Sequence, residues 1–276
     1  MRALLVLAAL CAPASASPTT DAWLAGLTDR VIEDVAAGKP LVAIVHVPLC
    51  DNTIIACGNA KLGDGDTPAT NLYWATTPGF GKWFARKGSG WTRVAVETEA
   101  TGDKDVLEQH TYRRSVTTSA AWRKRGAPKQ LTLEVTIRGW RGSAIDRALA
   151  AYAADVSGTG STAQLVAFVG HNRLMDVAEY AWPAAGTEAK GAIAIACDTA
   201  PYMKKQVAAA TRVPLLMTSD LLFANAAPLE ATVLAFARGG EYAEIRRAAA
   251  TAYAGVRKRP VEKVIGAFTN PADRRW

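Results

Sequence analysis

Apolar side chains recur every four residues near the start of the chain, at Trp23, Leu27, Val31 and Val35. That spacing lines one face of a helix, with Asp21 as its cap and Gly38 and Pro40 as its stop. Residues 41–49 then form a β-branched apolar run that predicts a strand. Residues 50–70 lose all periodicity around Gly63-Asp64-Gly65-Asp66 and read as turns. The Asp-Gly alternation there falls short of a calcium-loop ligand pattern. A short helix follows Pro78, buried through Phe80, Trp83 and Phe84, and residues 91–97 predict a strand. Residues 99–129 are charged and weakly patterned, with a strand only near 109–116.

The second half is more regular. Residues 131–137 alternate apolar and polar side chains, the period of a strand. Ser143 starts a helix with Asp146 as its capping-box partner, and Ile145, Leu149, Tyr152 and Val156 share one face before Gly158 ends it. Residues 163–170 and 191–196 are two short runs of Ala, Val, Ile and Phe with no charge, as expected of buried parallel strands. Pro201 fits the first turn of a helix reaching to about residue 211, and residues 213–217 make another strand. Pro228 opens a helix that buries Val233 and Phe236 ahead of Gly239-Gly240, and residues 241–256 form a last helix with Tyr242, Ile245, Ala249 and Tyr253 on one face. Strands alternating with helices predict an α/β fold with a largely parallel sheet flanked by helices. No repeat or Pro/Ser linker divides residues 17–276, which are therefore read as one domain.

Composition adds a leader. Of 276 residues, 50% are hydrophobic and 21% charged, an ordinary globular balance. Met1-Arg2 gives a positive start, residues 3–12 a short apolar core, and Ala14-Ser15-Ala16 a small-residue cleavage site. This reads as a secretory signal removed after Ala16, so the mature chain is expected outside the cytoplasm, periplasmic or secreted. Leu10 before Cys11 is too large for lipoprotein processing. No later stretch is apolar enough to span a membrane. The formal net charge is +7, with the basic residues scattered in small groups such as Arg123-Lys124-Arg125, which does not describe a nucleic-acid surface. His46 and His110 lack partners at zinc-ligand spacing, so no metal is implied, and His46 in its apolar run reads as a core histidine. No Gly-rich phosphate loop follows a strand and no Gly-x-Ser-x-Gly elbow is present, so no cofactor is expected and a serine hydrolase is disfavoured.

The chemistry lies at the ends of the two apolar runs. The first runs through Gly170 into His171, the second into Cys197. If the strands are neighbours, His171 and Cys197 emerge at one sheet edge, where open α/β sheets bind ligands. A cysteine beside a histidine is a standard nucleophile and base pair. Asp198-Thr199-Ala200-Pro201 puts the thiol at a strand-to-helix junction, where helix N-termini favour thiolates. Backbone N–H groups around Gly170, His171 and Asn172, and at Cys197, are candidates for an oxyanion hole. With the leader gone, Cys50, Cys57 and Cys197 remain, and an odd count suggests one bridge, across the Cys50–Cys57 loop, and one free thiol.

Strand-Gly170-His171 followed by strand-Ala196-Cys197-Asp198-Thr199-Ala200 resembles the caspase-like cysteine peptidases, nearest to the CHAT-type branch with its Gly-His dipeptide and later Ala-Cys-Glu-Thr element. The resemblance covers about residues 130–255 and includes the strand at 213–218 and the two helices after it. It implies a caspase-like three-layer sandwich and an endopeptidase in which Cys197 is the nucleophile, His171 its base, and a peptide or protein the substrate. The family usually places Gly after the histidine to supply an oxyanion N–H. Asn172 stands there, and Asn accepts unusual backbone angles better than most residues. The family's specificity pocket often draws on the end of its first strand, which nominates Asp51 for a basic substrate residue. An inactive caspase-like binding module, and an envelope amidase using the same dyad, are the alternatives.

Overall fold

A computed structural model describes residues 18–98, 102–177, 179–207, 211–223 and 225–276. The leader assigned to residues 1–16 lies outside them. Among the described residues eight strands form one sheet: β1 (Leu41–Pro48), β2 (Thr92–Thr98), β3 (Val106–Thr117), β4 (Gln130–Trp140), β5 (Leu165–Gly170), β6 (Lys190–Ala196), β7 (Arg212–Thr218) and β8 (Phe268–Thr269). Their spatial order is β2-β3-β4-β1-β5-β6-β7-β8. The five strands from β4 to β7 are mutually parallel, while β2, β3 and β8 add antiparallel edges. The expected α/β class, a mostly parallel sheet between helix layers, is what the chain adopts.

The layers follow from the two-residue period of strands whose faces are both apolar. On β5, Leu165, Ala167 and Val169 join one core cluster, while Val166 and Phe168 join the other. β6 divides the same way, Ile193 and Ile195 against Ala192 and Ala194. The first cluster packs under α1 (Pro18–Ala36), α6 (Ala227–Ala237) and α7 (Tyr242–Arg257). The second packs under α4 (Ile145–Val156) and α5 (Ala200–Val207). The helical faces read from spacing are buried as expected, with Leu27, Val31 and Val35 on α1, Leu149 and Tyr152 on α4, and Ile245 and Ala249 on α7. The short α2 (Phe80–Trp83) and α3 (Ala120–Lys124) complete the helices among the described residues.

Two local expectations are corrected, and a third is extended. Asp21 does not cap α1 but lies within it, inside the described span Pro18–Ala36. Asp146 is not a capping partner of Ser143. A 3-10 turn spans Gly142–Ala144, and the Asp146 carboxylate instead pairs with Arg173 Nε at 2.7 Å. The weakly patterned region holds the longest strand, β3, a 12-residue element between β2 and β4. The strand expected near 109–116 is its middle, and its full length is masked because Glu108, Arg113 and Arg114 are interleaved with buried His110 and Tyr112.

Chain order reverses on either side of β1, which lies between β4 and β5. That is the topological switch point of an open sheet, and ligands bind outside the carboxyl ends of such strands.

Candidate active site

β5 and β6 are neighbours, and the last rung of their ladder pairs Gly170 with Ala196. His171 and Cys197 are the next residue on each chain, so their backbones leave the sheet side by side, roughly 5 Å apart as adjacent strands are. Just beyond them the two segments are tied again. Asn172 Nδ2 donates to the carbonyl oxygen of Asp198 at 3.2 Å. The histidine and the cysteine thus sit between a backbone rung and a side-chain rung, each level with the other. Cys197 is a free, partly exposed thiol.

Backbone geometry makes the turn possible. Gly170 has φ +111, a conformation that side chains rarely adopt, and a Cβ there would sit 3.2 Å from the Tyr73 ring. Asp198 adopts the left-handed region at φ +46, which Asp tolerates. Its N–H donates to the Asp220 carbonyl at 3.0 Å, drawing the turn after β6 toward the loop after β7. Thr199 fixes the start of α5. Its hydroxyl bonds the Ala194 carbonyl at 2.9 Å and shares a 2.9 Å contact with the Thr218 hydroxyl, both threonines being fully buried.

His171 has an orienting partner that spacing did not reveal. Its Nε2 lies 2.6 Å from Asp176 Oδ2. Arg173 also reaches Asp176, at 3.4 Å, and is itself held by Asp146. With the carboxylate on Nε2, the ring proton belongs there and Nδ1 keeps its lone pair. Among the described residues Nδ1 carries no hydrogen bond. The ring is 12% exposed, so it is sheltered but reachable.

Asn172 does not take the unusual angles expected of it. Its φ is −84, and it serves through its side chain instead. Oδ1 accepts from the Leu174 N–H at 3.2 Å while Nδ2 holds Asp198, and the residue is completely buried. The positive φ in this segment falls on Gly170. Asp51 lies at the end of β1, but its carboxylate accepts from the Thr53 N–H at 2.8 Å and the Thr53 hydroxyl at 2.7 Å. It packs against Gly65 and Gly142, on the β4 side, as a turn former. Cys50 and Cys57 are joined in a disulfide, and buried Asn71 clamps Cys50 by bonding both its N–H and its carbonyl. Asp64, in the Gly-Asp loop, accepts from the Asp66 N–H and the Thr67 hydroxyl.

Tyr73 is a second residue that sequence reasoning missed. Its ring lies over Gly170, and burial, then the neighbouring Cys197 sulfur, hold its phenol well above the usual range. No periodic or motif signal marks it in a loop of turns.

The other two histidines are committed elsewhere. His46 is buried between Asp155 Oδ2, 2.9 Å from Nε2, and Trp140 Nε1, 3.2 Å from Nδ1. His110 is buried beside Glu108 at 3.1 Å and Tyr112 at 3.3 Å. Among the described residues no His/Cys/Asp/Glu group suits a metal ion, and no helix is long and apolar enough to cross a membrane.

Comparison with known proteins found no matching family model, no matching curated protein and no matching solved structure.

Proposed function

We propose that the chain is an exported, caspase-like cysteine endopeptidase of the CHAT type, with Cys197 as nucleophile and His171 as base. The observation that carries the reading is the Gly170–Ala196 rung, which makes His171 and Cys197 the first residues beyond two adjacent parallel strands. The Cys50–Cys57 bridge supports an oxidising compartment, where such bonds persist.

The chemistry follows from the groups present. His171 Nδ1 takes the thiol proton, and the sulfur attacks the scissile carbonyl carbon, forming the C–S bond as the carbonyl π electrons move to oxygen. Collapse of that oxyanion breaks the C–N bond, and the imidazolium delivers its proton to the leaving amine. Water then adds to the thioester, giving its proton to His171, and C–S cleavage returns the thiolate. Asp176 holds the imidazole in the required tautomer and stabilises its charged form.

The test is cleavage of a diverse peptide library by wild-type protein and by Cys197→Ala. The expected result is cleavage that disappears in the variant. Cleavage that persists in Cys197→Ala contradicts the reading.

A further inference from the structure

A narrow cavity opens beside the dyad, on the α6/α7 face of the sheet. It is lined by Gly170 and Ala196, the residues just before His171 and Cys197, and walled by Phe80, Leu222, Phe223 and Tyr253. Its volume is about 10 Å³, at the lower limit for one water molecule. A methyl group is of similar size. No charged side chain lines it.

The polar groups at its edge are already engaged. Asn225 donates from Nδ2 to the Phe223 carbonyl at 3.1 Å and accepts from the Ala227 N–H at 3.1 Å. The Tyr253 hydroxyl accepts from the Phe223 N–H at 3.0 Å. A charged substrate side chain entering here would lose its hydration and find no counter-charge, which apolar surroundings penalise heavily. The outer wall reaches the surface. Phe223 is 42% exposed, with the Arg257 guanidinium stacked over its ring. The end of β1, where Asp51 sits, contributes nothing to this slot.

We propose that this slot is the side-chain pocket of the site, and that it selects alanine, or a residue as small and uncharged, immediately before the scissile bond. The inference rests on the peptidase reading and adds the substrate class to it. Phe223 sets the upper size limit, because its ring closes the slot from the solvent side. A pocket of one methyl discriminates by sterics against longer side chains and by desolvation against charged ones.

The experiment is to profile a set of peptidyl electrophiles and matched fluorogenic peptides that differ only at that residue, on wild-type protein, Phe223→Ala and Leu222→Ala. Wild type is expected to favour Ala over Leu, Lys and Asp by about tenfold or more. Phe223→Ala is expected to admit Leu or Met, narrowing the gap to Ala by about tenfold while leaving Lys and Asp poor. Leu222→Ala, a second change in the same wall, gives a smaller shift in the same direction. Circular dichroism and thermal melts confirm that the variants are folded. Cys197-dependent cleavage that prefers Lys or Asp, or a ranking unchanged in both folded variants, overturns this inference and leaves the peptidase reading standing. Failure of every electrophile to label Cys197 overturns both.

Discussion

Two histidines of this chain each face an aspartate, and they end in opposite states. His46 sits in the middle of β1, fully buried, with Asp155 on Nε2 and the Trp140 indole on Nδ1. An indole N–H can only donate, so Nδ1 must accept, and the ring is neutral with its Nε2–H donating a hydrogen bond to Asp155. Burial holds its pKa below the usual histidine range, against the opposing pull of Asp155. Both nitrogens are used, and nothing is left to react. His171 sits one residue past the end of β5, with Asp176 on one nitrogen and the other unclaimed among the described residues. The carboxylate partner is common to both. Position along the strand separates the two: the mid-strand ring is enclosed with both nitrogens bonded, whereas the strand-end ring is 12% exposed and keeps one nitrogen unclaimed among the described residues.

Exchanging the two roles by mutation breaks the comparison most sharply. His171→Ala is expected to lower peptide turnover by about a thousandfold, within the range of a general base, and to leave the melting temperature nearly unchanged. His46→Ala leaves the Asp155 carboxylate buried without its partner, a loss on the order of 3 kcal/mol. Its expected signature is a lower denaturation midpoint, with activity retained by the fraction that stays folded. Urea titration together with initial rates distinguishes the two. A His171→Ala protein that loses stability but keeps its turnover would reverse the assignment.

The aspartates sharpen the contrast at smaller scale. Asp176 is a third exposed and shares its charge with Arg173, so Asp176→Asn is expected to cost little stability, well under 1 kcal/mol as surface pairs do. It removes the group that fixes the His171 tautomer, and a ten- to hundredfold fall in kcat with KM nearly constant is expected. Equal loss in a variant that unfolds would instead make Asp176 a scaffold residue.

The smallest effect is on pH dependence. Because the folded pKa of His46 is lowered, the unfolded chain binds the proton more readily. The stability tied to this ring is complete above the unfolded histidine pKa of about 6.5. It falls as the pH drops below that value toward the folded pKa. Wild-type protein should therefore lose stability between about pH 6.5 and 5 more steeply than His46→Gln, in which that proton uptake is absent. Parallel pH profiles in the two proteins would contradict the neutral, doubly bonded ring.

Much of this was legible in the sequence because it rests on periodicity. Leu149 and Tyr152, or Ile245 and Ala249, declare a helix face wherever they occur, and the uncharged runs before His171 and Cys197 declare strands enclosed on both sides. Each run ends in its histidine or cysteine, so the pairing of β5 with β6 sets His171 and Cys197 side by side. Asp176 was not readable, because it lies five residues from His171 in an irregular turn where no period applies. Tyr73 and the slot were hidden for a different reason. The slot is assembled from α2, two strand ends, the loop after β7 and α7, and no local pattern brings Phe80, Phe223 and Tyr253 together. Only the middle of β3 is legible, near 109–116, because a strand that interleaves Glu108, Arg113 and Arg114 with buried rings lacks a clean alternation along its full length. The place of Asn172 after a histidine points to its backbone, yet its side chain makes the contacts, bonding Asp198 and Leu174.

The most direct test of the dyad is the rate at which a small electrophile alkylates Cys197 in the native protein, followed by mass spectrometry in wild type and His171→Ala. The account predicts that native Cys197 reacts faster at neutral pH than free cysteine, and that His171→Ala removes this advantage without unfolding the protein. A native thiol that reacts no faster than the free amino acid, at a rate His171→Ala leaves unchanged, would contradict it.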